Sequence, residues 1–200
     1  TMGNTGLSPA DAYRFARGEA VRATTGMLAR LNRPLDFLVV SDHAEQLGTM
    51  LKLREGDPRM LKDEESRRIY NAMIGSADDP EAAGVIMNEF LAKMTKGSAM
   101  LFSPEVSRDI WQASIATSEE YNEPGVFTAL IGYEWTSMPD GNNLHRVVIY
   151  ADDADKAGQM QPLSSNGAEN PQNLWNFMGE YEEKTGGRIL AIPHNGNLSN

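Results

Sequence analysis

Four short apolar runs constrain this chain more than any other feature: PLDFLVVSDH (34–43), VFTALIGYEW (126–135), LHRVVIY (144–150) and RILAIPH (188–194). Each carries a metal-ligand residue type at one edge, namely His43, Glu134, His145 and His194, and these are the only 3 histidines in the chain. Runs this short, rich in β-branched and aromatic residues and bounded by turn residues, predict strands. The unbroken apolar character of LDFLVVS predicts a strand buried on both faces, as in a parallel sheet covered by helices. When several strands each present a ligand type at one end, the economical explanation is a shared polyvalent site on one rim of a sheet or barrel.

Between these runs the pattern is helical. Ser8, Pro9 and Asp11 form a helix start, with a capping hydroxyl, a proline at the first helical position and an acid in the first turn. That helix carries DAYRFAR and fails near Gly18. Residues 19–33 allow two readings: a small hairpin turning at Thr24-Thr25-Gly26, or a second helix interrupted by Gly26. From 44 to 124 the chain is mostly helical, with apolar residues at helical spacing in DEESRRIYNAMI, PEAAGVIMNEFLAKM and SPEVSRDIWQASIATSEEY. This segment is long for a single crossover and reads as an insertion forming a lid or side wall. Residues 151–170 read as an acidic, aperiodic loop, and Pro171 starts a last helix that stops at Gly186-Gly187. Alternating strands and helices predict an α/β sheet or barrel, with ligands beyond the carboxyl ends of the strands.

Composition narrows the partners. A chain of 200 residues, 40% hydrophobic, can bury the core of one globular domain. Its 28 acidic against 18 basic side chains give a net charge of −10. That balance argues against nucleic acid or an anionic membrane as the main partner. A small anionic substrate remains compatible, because a bound cation reverses the local field. With 0 cysteines, disulfides and zinc-thiolate sites are excluded, while cytosol and periplasm both stay open. No apolar stretch reaches the roughly 18 residues of a membrane span, and the opening TMGNTGLSPADAY lacks the pattern of a signal peptide.

Each candidate residue also has an ordinary structural reading. Asp42-His43 can be a strand-end cap. Glu134, between Tyr133 and Trp135, needs a cation or an arginine if buried, and Arg146 or Arg188 would serve. His145 opens its run rather than closing it and can be a core or surface histidine. His194, behind Pro193 and before Asn195, Gly196 and Asn197, suits a ligand supported by amide donors or a plain Asn/Gly turn. All three histidines and the carboxylate nevertheless fall at strand boundaries. No Ser-His-Asp order, phosphate loop or dinucleotide fingerprint competes.

The succession SDHAE, GYEWTS, NLHRVVIY and IPHNGN, with SPADAYRFARGEA and RPLDFLVVSDHAE, resembles the PHP (polymerase and histidinol phosphatase) superfamily, and more narrowly a bacterial PHP-like group catalogued as a domain of unknown function. The resemblance implies a PHP-like distorted (β/α) barrel, here partial, with 44–124 as a helical insertion in a single domain spanning 1–200. It implies two or three divalent ions, zinc, manganese or iron, at the carboxyl rim. His43, preceded by Asp42, matches a ligand motif, Glu134 the carboxylate that bridges two metals, and His145 and His194 the middle histidines. The His-x-His and Asp-x-His motifs of that superfamily fall outside residues 1–200, which reads as a domain incomplete at both ends. The implied activity is hydrolysis of a small phosphorylated substrate by a metal-activated water, with Arg146 as a phosphate clamp. Cleavage of an amide or lactone, or a binding module with a decayed site, are the alternatives. Within the set, His145 and His194 are expected to share a metal pair with Glu134, and His43 to serve a neighbouring ion.

Overall fold

The structure is a computed structural model and describes residues 7–75, 78–94 and 103–194. Helix α1 (Pro9–Ala16) begins as its sequence dictates: the Asp11 N–H donates to Ser8 Oγ at 3.3 Å and the Ser8 N–H donates back to Asp11 Oδ2 at 2.9 Å. Such a reciprocal box satisfies two amide donors that the first helical turn leaves open. The next stretch resolves to the hairpin, β1 (Val21–Arg22) against β2 (Leu28–Ala29), turning through Gly26 at φ +87.

Strand β3 (Phe37–Val39) follows, and it differs from the expectation of burial on both faces: Phe37 is 64% exposed. The apolar run is there, but β3 belongs to a sheet of only two strands among the described residues, too small to be covered on both sides. A short 3-10 turn at Ala44–Gln46 leads into the helices α2 (Thr49–Arg54), α3 (Glu64–Ile74), α4 (Pro80–Met94) and α5 (Pro104–Tyr121). The first three enclose a core of their own with the start of α5: Leu53, Met60, Ile69, Phe90 and Val106. Further along α5, Trp111 and Ile115 enter the main core. That one helix therefore joins the two hydrophobic clusters.

VFTALIGYEW, expected as one strand, divides at Ile131 into β4 (Thr128–Leu130) and β5 (Gly132–Trp135). β4 pairs in parallel with β3, whereas β5 pairs antiparallel with β6 (Arg146–Tyr150). Gly132 makes the change of partner feasible. A Cβ there would meet the Val148 carbonyl at 2.6 Å and crowd Val39, so only glycine lets the chain pass between both neighbours.

The loop after β6 contains one short helix, α6 (Ala154–Ala157), that its lack of periodicity did not announce. Helix α7 (Pro171–Thr185), capped by Asn170 and closed by Gly186 at φ +63, leads to β7 (Ile189–Pro193). The three-stranded sheet β5-β6-β7 is antiparallel throughout, against the parallel arrangement expected from strand-helix-strand alternation. Residues 151–170 are the cause. They carry the chain back along the sheet, from Ala151, whose N–H donates to Arg188 O, to Ser165 and Glu169 beside Thr136 and Ser137. Helix α7 then makes the return trip. With two traverses instead of one, β7 starts at the end where β6 stopped.

One face of this sheet packs Tyr133, Trp135, Val148 and Tyr150 against Trp111 of α5 and Leu174, Phe177 and Tyr181 of α7. On the other face Leu190 and Ile192 are 57% and 43% exposed. The fold is mixed α/β, and among the described residues no sheet closes into a barrel.

Candidate metal centre

The antiparallel sheet explains why three residues with different positions in their strands meet. Across the sheet Trp135 faces Arg146, which faces Pro193. The carboxyl ends of β5 and β7 therefore share one rim with the amino end of β6. Glu134 precedes Trp135, His145 precedes β6 and His194 follows β7, so all three lie on that rim. The His194 N–H donates to His145 O at 3.2 Å and extends the ladder by one step. His43 arrives from the other sheet, through a parallel bridge to Glu134 and a bond from the Glu134 N–H to Asp42 O at 2.8 Å. That His145 opens its apolar run, the oddity of the sequence pattern, is what an antiparallel neighbour requires.

The side chains converge on one oxygen. Glu134 Oε1 lies 2.8 Å from His145 Nδ1, 3.0 Å from His194 Nε2 and 3.5 Å from His43 Nδ1. Glu134 and His145 are each 8% exposed, while the His43 side chain is 59% exposed. Burial pushes the His145 imidazole below its ordinary range, and the Glu134 carboxylate beside it pulls in the opposite direction. His145 Nε2 is buried without a hydrogen-bond partner. The same holds for His194 Nε2, which is near Glu134 Oε1 without the alignment of a hydrogen bond. A buried polar atom left open costs about 1–3 kcal/mol, so two of them beside a buried carboxylate fit a cation that takes up their lone pairs. One ligand atom each from His43, Glu134 and His145 lie within 4.8 Å of one another, and this group can hold a metal ion. The compact trio includes His43, which the sequence reading assigned to a neighbouring ion, while His145 and His194 lie at 2.8 and 3.0 Å from the Glu134 oxygen with which they were grouped.

The family model described as "Protein of unknown function (DUF3604)" matches residues 1–200. The chain belongs to this family. No curated protein and no solved structure matches it.

In this DUF3604 chain the other residues singled out from sequence are placed as follows. Asp42 lines a narrow cavity together with Tyr13, Trp111 and Ser118. Burial of its carboxyl raises its pKa, with His43 opposing the shift and the charge of Glu134 adding to it. Arg146 turns its Nη1 onto the carbonyls of Leu144 at 2.6 Å and His145 at 3.0 Å, so it braces the turn that carries His145. Asn195, Gly196 and Asn197 lie outside the described residues.

Three further residues support the site and were missed. Asn143 accepts the His145 N–H at 3.1 Å. Thr136 Oγ1 hydrogen-bonds His43 Nδ1. Glu45 Oε1 accepts the N–H groups of Thr136 at 3.1 Å and Ser165 at 2.8 Å. Each stands within two residues of a candidate ligand in sequence, the one signal that could have flagged them.

Proposed function

We propose that this DUF3604 protein is a metal-dependent hydrolase, most directly a phosphoesterase, built on a PHP-like distorted barrel to which residues 1–200 contribute. The observation that carries the reading is the convergence of three imidazoles on one oxygen of a buried carboxylate, with His145 Nε2 left open. Two or three ions of zinc, manganese or iron suit this donor set of imidazole and carboxylate. When bound, such ions polarise a substrate oxygen and acidify a water molecule.

The chain's own residues have distinct parts. Glu134 supplies the negative charge that retains a cation, and its second oxygen allows it to serve two ions, which a neutral imidazole cannot do. Burial favours the neutral form of His145 and so keeps a lone pair for a ligand. Arg146, tied to the carbonyls on either side of the His145 turn, holds that histidine on the rim. A net charge of −10 argues against a nucleic-acid backbone as substrate, while a small phosphorylated molecule stays compatible because bound cations would reverse the local field.

The test is turnover of chromogenic phosphate mono- and diesters by the natural protein after loading with manganese or zinc. Hydrolysis that disappears on chelation and in Glu134→Gln is expected. Activity surviving both treatments overturns the mechanism. Cleavage of amide or lactone substrates with none of the esters would keep the metal and replace the bond. Purified protein with well under one equivalent of metal would leave a binding module.

A further inference from the structure

His43 is the exposed member of the cluster, and a residue of the neighbouring chain segment holds its ring. Backbone pairing fixes where His43 starts, through the bridge to Glu134, but it leaves the two side-chain torsions of the imidazole free. The hydrogen bond between Thr136 Oγ1 and His43 Nδ1 removes that freedom. Thr136 is itself held on both sides of its backbone: its N–H donates to Glu45 Oε1 at 3.1 Å, and its carbonyl accepts from Ser165 Oγ. The same Glu45 oxygen accepts the Ser165 N–H at 2.8 Å. Because Glu45 lies two residues beyond His43, the chain and these bonds close a ring from His43 through Glu45 and Thr136 back to His43. Held this way, Nδ1 is engaged by Thr136 and lies 3.5 Å from Glu134 Oε1, so Nε2 is the ring nitrogen left for a ligand.

The geometry points to Thr136 as a positioning residue: its backbone is clamped by Glu45 and Ser165, and its hydroxyl turns the His43 imidazole toward Glu134 and His145 ahead of any ligand. The effect on cation binding rests on the metal-centre reading, whereas the ring orientation stands without it. An exposed imidazole that is already ordered loses less freedom when it takes a ligand, so binding is tighter. Groups that orient metal ligands typically change affinity by 10–100-fold.

The experiment compares wild type, Thr136→Val and Thr136→Ser in the natural protein, by manganese and zinc titration and by ¹⁵N NMR of the histidine rings without metal. Valine keeps the shape and loses the hydroxyl; serine keeps the hydroxyl and loses the methyl group. Affinity is expected to fall about tenfold or more in Thr136→Val and to return to within about threefold of wild type in Thr136→Ser. In the metal-free protein the Nδ1 resonance of His43 should shift in Thr136→Val alone, with His145 unmoved. Should the valine variant fail to fold, Thr136→Ala makes the same comparison without added bulk. Ring signals that are identical in wild type and Thr136→Val, or a serine variant as weak as the valine one, would overturn the proposal. A wild type that takes up no metal but shows the NMR contrast would refute the proposed function and uphold the role of Thr136.

Discussion

The helices of residues 49–94 and the rim of the three-stranded sheet treat their polar groups in opposite ways. In the helical segment polar side chains find partners, some within a turn and some on the neighbouring helix α5. The Asp63 carboxylate accepts the Ser66 N–H at 2.7 Å while Ser66 Oγ accepts the Asp63 N–H at 3.2 Å, and Arg59 joins Asp57 at 2.7 Å to Asp109 at 2.6 Å. Beneath them lies an apolar cluster of Leu53, Met60, Ile69, Phe90 and Val106. Around the sheet the accounting is left open. Among the described residues the buried side-chain atoms without a partner belong to Glu45, Trp135, His145, Tyr150, Gln161 and His194, and none falls within 49–94. Trp135 and Tyr150 belong to the aromatic core, but Glu45, His145 and His194 surround one carboxylate oxygen or support its neighbours. Buried polar groups are nearly always satisfied, so the open atoms of His145 and His194 beside one carboxylate suit the candidate metal centre.

That contrast can be broken most forcefully from the helical side. Phe90→Ala should cost about 3–5 kcal/mol by emptying part of the helical core, and urea unfolding would show it as an early loss of helical signal. Cation titration of the same variant should change by less than about threefold, and a larger change would mean that the two regions are not separate. From the other side, Glu134→Gln should lower cation affinity by at least about a hundredfold, beyond what removing a group behind a ligand costs. Its melting temperature in the absence of metal should not fall, since the variant relieves a buried charge. Metal analysis and calorimetry read both outcomes.

Smaller effects sharpen the picture of the helical segment. Asp63→Ala removes the reciprocal cap of α3 and should cost about 1 kcal/mol in chemical denaturation, with metal content unchanged. The smallest effect is one of pH. Hydrogen bonds from Arg59 hold the Asp57 carboxyl at about 2, below its ordinary 3.8. A depressed carboxylate contributes stability above its unfolded value, and that contribution is lost as pH falls from near 3.8 toward 2. Asp57→Asn should therefore flatten the acid limb of the melting curve across that window, as followed by circular dichroism.

Much of the fold was legible because it is local. Ser8 with Pro9 and Asp11, Pro104 behind Ser103, and Pro171 behind Asn170 start helices where the sequence placed them, since capping involves only neighbours within a turn. The end of α7 at Gly186 is likewise decided by a single glycine at positive φ, whereas at Gly26 the sequence allowed a hairpin or an interrupted helix and the structure decided for the hairpin. The division of VFTALIGYEW was not legible, because the need for glycine at 132 comes from Val39 and the Val148 carbonyl, both distant in sequence. Nor was the direction of β7, which depends on a loop that crosses the sheet before α7 begins.

The candidate site divides along the same line. The sequence alone determined that ligand-type residues stand at strand boundaries, since composition and periodicity reveal where an apolar run ends. It could not say which of them share a centre. Only the tertiary structure brought His43 within 4.8 Å of Glu134 and His145, set His194 against the same carboxylate oxygen, and placed Glu45 and Thr136 behind His43. The physical reason is register: an antiparallel sheet turns the start of one strand and the ends of two others into a single rim, and register is a relation between chain segments that no one of them encodes.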